Sequence, residues 1–133
     1  MEHLFVYGTL LNHFKHDTLL SIEKFLKFKS NGYLKGKLYD LGEYPAVVED
    51  ADTLEKVKGE VYLINNPEKV FNILDEYEGV NDVEAEYKRK KKVVTLNEGK
   101  NIKSWVYVYK KQIEPNLKKI VGGDYVSFMK NKI

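Results

Sequence analysis

NNPEKVFNILDEYEGV, residues Asn65 to Val80, is the stretch from which the rest of the chain can be ordered. Asn66 suits an N-cap and Pro67 the first helical position, where a missing N–H costs nothing. Val70, Ile73, Leu74 and Tyr77 then recur at i, i+3, i+4 and i+7, which lines one side of a helix with apolar groups. Gly79 follows as a residue that readily takes the left-handed conformation that stops a helix. The spacing predicts a helix that ends on Glu78.

On both sides of this helix the periodicity changes from helical to alternating. Upstream, Val57 to Ile64 (VKGEVYLI) alternates strictly and reads as a strand. Downstream, Tyr87 to Leu96 and Ile102 to Tyr109 read as a hairpin around the turn Asn97-Glu98-Gly99-Lys100. A second turn, Gly122-Gly123-Asp124, precedes a short terminal helix. Towards the N-terminus, His3 to Tyr7 is a short buried strand broken at Gly8-Thr9. Thr9 or Asn12 is a candidate cap for a helical turn, and Thr18 to Leu26 reads as a short helix. A strand from about Phe25 to Ser30 ends at the turn signal Asn31-Gly32. Tyr33 to Leu41 alternates again, Gly42 and Pro45 punctuate the chain, Ala46 to Val48 is a short strand, and residues 49–52 are a polar loop. One clear helix among six or seven short strands gives an α+β class with an antiparallel or mixed sheet. With no repeats and no composition shift, residues 1–133 are expected to form one domain. Periodicity leaves open whether the sheet closes.

Composition narrows the function classes. Hydrophobic residues make up 43% of 133, enough for a packed core. Twenty-two basic and 20 acidic residues leave a net charge of +2, which gives no global attraction to nucleic acid. Lys88-Arg89-Lys90-Lys91-Lys92 is therefore read as a strand edge guarded against aggregation, not as a nucleic-acid patch. No cysteine is present, which excludes disulfides and thiol nucleophiles. His3, His13 and His16 lack the pattern of a zinc site, so neither metal nor other cofactor is expected. The opening MEHLFVYGTL is acidic where a signal peptide is basic, and no run approaches the ~20 apolar residues of a membrane span. A cytoplasmic protein without membrane contact is expected.

Two motifs can carry chemistry. Tyr7-Gly8-Thr9-Leu10 ends the first strand. Gly8 permits close backbone approach and unusual dihedrals, and outward-pointing amides after it could form a nest for a carboxylate or oxyanion. The same residues also suit an ordinary strand-ending turn. In Leu74-Asp75-Glu76-Tyr77-Glu78-Gly79-Val80, Glu78 sits at the negative end of a helix dipole, and Asp75 adds like charge. With partial burial, both effects raise its pKa toward the range useful for acid–base catalysis. A solvated acidic helix end is the plain alternative.

Taken in order, Val6-Tyr7-Gly8-Thr9-Leu10, the segment Leu38 to Val48 (LYDLGEYPAVV), Gly59-Glu60-Val61-Tyr62, Leu74 to Val80 and Tyr87-Lys88-Arg89 resemble the AIG2-like branch of the γ-glutamylcyclotransferase superfamily, which includes γ-glutamylamine cyclotransferase. The resemblance runs from about residue 4 to 125. It implies a small mixed β-barrel with a few short flanking helices. It also implies that the backbone of Tyr7, Gly8, Thr9 and Leu10 grips a γ-glutamyl group, and that Glu78 is the catalytic acid–base residue. Gly123-Asp124-Tyr125 matches a family segment close to the pocket, which makes Tyr125 a substrate-binding residue. The implied reaction releases 5-oxoproline from a small γ-glutamyl amine or amide by intramolecular aminolysis. The alternative is a non-catalytic small-molecule binding module of the same fold.

Overall fold

The computed structural model describes residues 2–8, 17–42 and 44–131. Its elements are β1 (His3–Val6), α1 (Asp17–Ile22) with a 3₁₀ turn over Glu23–Phe25, β2 (Leu26–Lys35), β3 (Lys37–Asp40), β4 (Pro45–Val48), β5 (Lys56–Ile64), α2 (Pro67–Glu78), β6 (Tyr87–Leu96), β7 (Asn101–Tyr109), β8 (Lys118–Lys119) and α3 (Tyr125–Lys130). Strands β1-β5-β2-β6-β7 close into a barrel, and β4-β3-β8 form a second small sheet. Every barrel pair is antiparallel except the closing one, where β1 runs parallel to β7 with Leu4 opposite Trp105. The class is α+β with a small mixed barrel and short helices, as expected.

Two local expectations yield to strand pairing. Asn31-Gly32 is not a turn, because β2 runs straight through it. Asn31 lies opposite Glu60, and Gly32 lies opposite both Gly59 and Leu96. A ladder from Leu26↔Ile64 to Lys35↔Lys56 satisfies the backbone groups that a turn would have left to water. The alternating run from Tyr33 to Leu41 is two strands. The chain leaves the barrel at Gly36, and Lys37–Asp40 pairs with β4 in the second sheet.

Side chains alternate across the barrel wall. Phe5, Leu34, Val57, Val61, Val94 and Val106 pack inside. Leu4, Val6, Tyr62, Ile64 and Tyr107 point outward and are covered by Val70, Phe71 and Leu74 of α2. Val70 and Leu74 are fully buried, and each contributes on the order of 2 kcal/mol by leaving water. This contact sets α2 against β1 and β7. The lysine run folds into an ion cluster: Lys88, Lys90 and Lys92 reach Glu49 at 3.7, 3.0 and 2.8 Å. This half of β6 pairs with β7, while β2 pairs only with Val94 to Leu96. No helix among the described residues is long and apolar enough to cross a membrane.

Candidate active site

The C-terminal end of α2, the end of β1 and the start of β4 meet at one side of the barrel. The side chain of Asn66 accepts from the Lys69 N–H and starts α2. At the other end Gly79 adopts φ 68°, and its N–H donates to the carbonyls of Asp75 and Glu76. That cap ends the helix directly after Glu78. Its location follows from the amphipathic face: Val70 and Leu74 go down onto the barrel, and Tyr77 and Glu78 reach the cavity beside it.

The cavity holds about 200 Å³. Glu78, Tyr7 and Gly8 all line it, so the two motifs read separately from the sequence converge on one space. Tyr44, Pro45, Glu86, Tyr87 and Tyr107 complete much of the wall. Three tyrosine hydroxyls are committed to the protein. Tyr7 donates to the Tyr107 carbonyl at 2.5 Å and accepts from the Val47 N–H at 3.4 Å. Tyr87 donates to the Pro45 carbonyl at 2.9 Å. Tyr107 donates to Asp75 Oδ1 at 2.6 Å. Burial, reinforced by the Glu78 charge, raises the Tyr7 hydroxyl pKa so far that it stays protonated.

Gly8 is required for a reason other than dihedral freedom. It does not have a positive φ. A Cβ there would lie 2.7 Å from Pro45 Cγ and 3.0 Å from Cδ, so glycine lets the end of β1 pass against Pro45. The other residues expected in the loop grip, Thr9 and Leu10, lie outside the described residues, as do His13 and His16.

Burial raises the pKa of Glu78 to about 7. Asp75 does not contribute in the way its spacing predicted. Arg89 grips it through Nε at 2.9 Å and Nη2 at 3.2 Å. The Arg89 guanidinium is itself held over the rings of Phe71 at 4.0 Å and Trp105 at 4.7 Å. A bidentate, stacked partner neutralises Asp75 locally and turns it into a brace for Tyr107. No lysine, arginine or histidine of the described residues forms an ion pair with Glu78. The result is a carboxyl that is part protonated near neutrality, at a cavity wall rich in tyrosine. Such a group can accept and return a proton.

Tyr125 is not part of the cavity wall. It is 2% exposed, packs in the same core as Tyr7, and stacks on Phe128 with centroids 6.4 Å apart. Conversely, Tyr44, Tyr77, Glu86, Tyr87 and Tyr107 line the cavity without having been singled out from the sequence as site residues. Tyr44, Tyr77 and Tyr87 lie within the motif segments, and the only general signal for Tyr107 was the count of 10 tyrosines in 133 residues. No cluster of three potential metal ligands occurs among the described residues.

Comparison with known proteins agrees with this architecture. Residues 4–127 match the family described as gamma-glutamyl cyclotransferase, AIG2-like. A protein of Methanocaldococcus jannaschii, provisionally named a γ-glutamylcyclotransferase, is 36% identical over 82% of this chain and 85% of its own length. A provisionally named γ-glutamylcyclotransferase of Vibrio cholerae is 33% identical over 82% of this chain and 84% of its own. The crystal structure of an AIG2-like protein from Mus musculus superposes with a TM-score of 0.74 at 23% identity, covering 94% of this chain and 88% of that one. Such a likeness carries the fold, and the sequence match over nearly the whole described barrel carries the family: this chain belongs to the AIG2-like γ-glutamyl cyclotransferases.

Proposed function

We propose that the protein is a cyclotransferase-type enzyme that releases 5-oxoproline from a small γ-glutamyl amine or amide, with Glu78 as the general acid and base. The observation that carries this reading is the Glu78 carboxyl, poised near pH 7 by burial, at the wall of the cavity that Gly8 also lines. The nucleophile belongs to the substrate, so the enzyme supplies geometry and a proton carrier.

The α-ammonium of the γ-glutamyl group gives a proton to Glu78, and the freed amine attacks the γ-carbonyl carbon. A C–N bond forms and closes the five-membered ring. The C–N bond to the leaving amine then breaks, and Glu78 hands its proton to that nitrogen. From ammonium to lactam, two protons cross from the attacking nitrogen to the leaving one. A carboxyl with a pKa near ambient pH can carry each in turn. A bent substrate held in a small cavity turns this ring closure into a pre-oriented intramolecular step, which lowers the barrier by restricting motion in advance.

The backbone after Tyr7 is assigned the grip on the substrate carboxylate or the developing oxyanion, through the amides of Gly8, Thr9 and Leu10. Tyr125 acts at one remove, as packing in the core that holds Tyr7. The test is release of 5-oxoproline by the purified protein from a panel of γ-glutamyl amines, amides and peptides. Release from none of them, together with tight binding of one, would replace the enzyme with a binding module of the same fold.

A further inference from the structure

We propose that Glu49 is a positioning residue: by gathering Lys88, Lys90 and Lys92 it pins β4 to β6, and so fixes the wall where Pro45 of β4 meets Tyr87 of β6. Its bearing on a substrate rests on the cyclotransferase reading of that cavity. The need for a pin comes from the topology. Strand β4 pairs with β3, in a sheet separate from the barrel. Among the described residues no backbone ladder sets where β4 lies along β6, although Pro45 and Tyr87 line the same cavity. Val47 packs in the core cluster that holds Val106 and Val108, which keeps β4 against the barrel. Hydrophobic contact has no direction, so it does not set a register.

Two polar attachments supply that register. At the start of β4 the Pro45 carbonyl accepts from the Tyr87 hydroxyl at 2.9 Å. Just past its end, Glu49 receives Lys90 Nζ on both carboxylate oxygens, at 3.2 and 3.0 Å, with Lys92 Nζ at 2.8 Å and Lys88 Nζ at 3.7 Å. Both attachments land on β6, so β4 is held at its two ends against one strand. The basic run is divided to suit. Positions 88, 90 and 92 share one face of a strand and go to Glu49, while Arg89 and Lys91 face the other way and go to Asp75 and Glu2. Lys88 and Lys92 start about 13 Å apart along the strand, yet their amines converge on one carboxylate. A single exposed ion pair stabilises little, but three partners on two oxygens fix a place. Burial would raise the Glu49 pKa; hydrogen bonds and charge from Lys92 and Lys90 outweigh it and bring it down to about 2. Glu49 therefore stays ionised wherever Glu78 titrates, and the pin does not loosen over that range.

The experiment compares the wild type with Glu49→Gln, Glu49→Asp and, as a control, Lys91→Gln, which removes a charge from the same run without touching Glu49. Amide hydrogen exchange is followed by NMR at two residues. Val47 donates its N–H to the Tyr7 hydroxyl, and Val61 lies in a strand paired on both sides. Glu49→Gln should speed exchange at Val47 by about tenfold or more and leave Val61 within about twofold. On a substrate that the wild type turns over, KM should rise by about threefold or more with kcat nearly unchanged, because Pro45 shifts while Glu78 does not. Glu49→Asp keeps the charge and should recover part of both effects, and Lys91→Gln should show neither. Unchanged exchange at Val47, or equal acceleration at Val47 and Val61, overturns the pin. Faster exchange at Val47 alone with an unaltered KM overturns its role in the cavity. If the wild type releases 5-oxoproline from no substrate, the cyclotransferase reading falls, and exchange at Val47 against Val61 still decides whether Glu49 positions β4.

Discussion

Asp75 and Tyr107 are joined by a 2.6 Å hydrogen bond that ties the last turn of α2 to the middle of the barrel wall. Tyr107 lines the cavity, and its carbonyl receives the Tyr7 hydroxyl, so one carboxylate braces both the wall and, through it, the residue that leads into Gly8. Arg89 completes the brace from β6, between the rings of Phe71 and Trp105. Asp75, three residues before Glu78 in the helix, therefore serves the shape of the site, while Glu78 is left to titrate.

That relationship makes Asp75→Asn a structural lesion. The amide keeps one acceptor for Tyr107 or Arg89 but loses the charge that holds both. A loss of about 1.5–3 kcal/mol is expected, typical of a charge-assisted hydrogen bond removed from a half-buried site. Urea denaturation measures it. KM should rise more than kcat falls, since Tyr107 and Tyr7 shift while Glu78 remains. A stability equal to that of the wild type would show that Arg89 does not depend on Asp75.

Glu78→Gln preserves size and removes proton transfer. Turnover of a verified substrate should fall by about 10²–10⁴-fold, the usual share of acid–base catalysis. The basic form is the one that accepts the ammonium proton, so wild-type kcat/KM should rise as pH climbs through about 7. The residual rate of the variant should lack that limb. Wild-type rates in a folded Glu78→Gln protein would end the mechanism.

The same substitution changes how stability depends on pH. The folded-state pKa of Glu78 is raised from 4.5 to about 7, so between those values the native state binds more protons than the unfolded chain. Its contribution is fully present below about pH 4.5 and is lost as pH rises through 7. Glu78→Gln cannot titrate. Relative to the wild type it should gain on the order of 1–3 kcal/mol at pH 8 compared with pH 5, read from denaturant curves at the two pH values. Parallel curves for the two proteins would show that burial does not hold the carboxyl in its neutral form.

Gly8→Ala tests the contact at the mouth of the cavity. The new Cβ would press on Pro45, whose carbonyl holds Tyr87 and whose backbone pairs with Asp40. Overpacking of this kind costs about 1–3 kcal/mol. A raised KM should accompany it, because both walls of the cavity move. Thermal melts and substrate titration measure the two effects, and a variant with unaltered melting and KM would show that the Pro45 contact is slack.

The bounds of α2 were legible in the sequence because they depend on local chemistry: an Asn-Pro start, an i, i+3, i+4 face and a glycine stop act over a few residues. The hairpin of β6 and β7 was legible for the same reason, and the order of the short motifs was enough to give the family. Tertiary structure decided the rest. Asn31-Gly32 has the local preference of a turn, yet β2 continues through it because pairing with β5 satisfies the backbone more fully than a turn would. The barrel closes through a parallel contact between Leu4 and Trp105, which no periodicity encodes. Asp75 looked like a like-charge neighbour of Glu78 until Arg89, from a strand on the far side of a loop, neutralised it. Glu86 and Tyr44 meet across 42 positions of sequence. Helix caps and amphipathic faces are governed by neighbours along the chain, whereas the charge state of Glu78 and the make-up of its cavity depend on which distant side chains the barrel brings beside it.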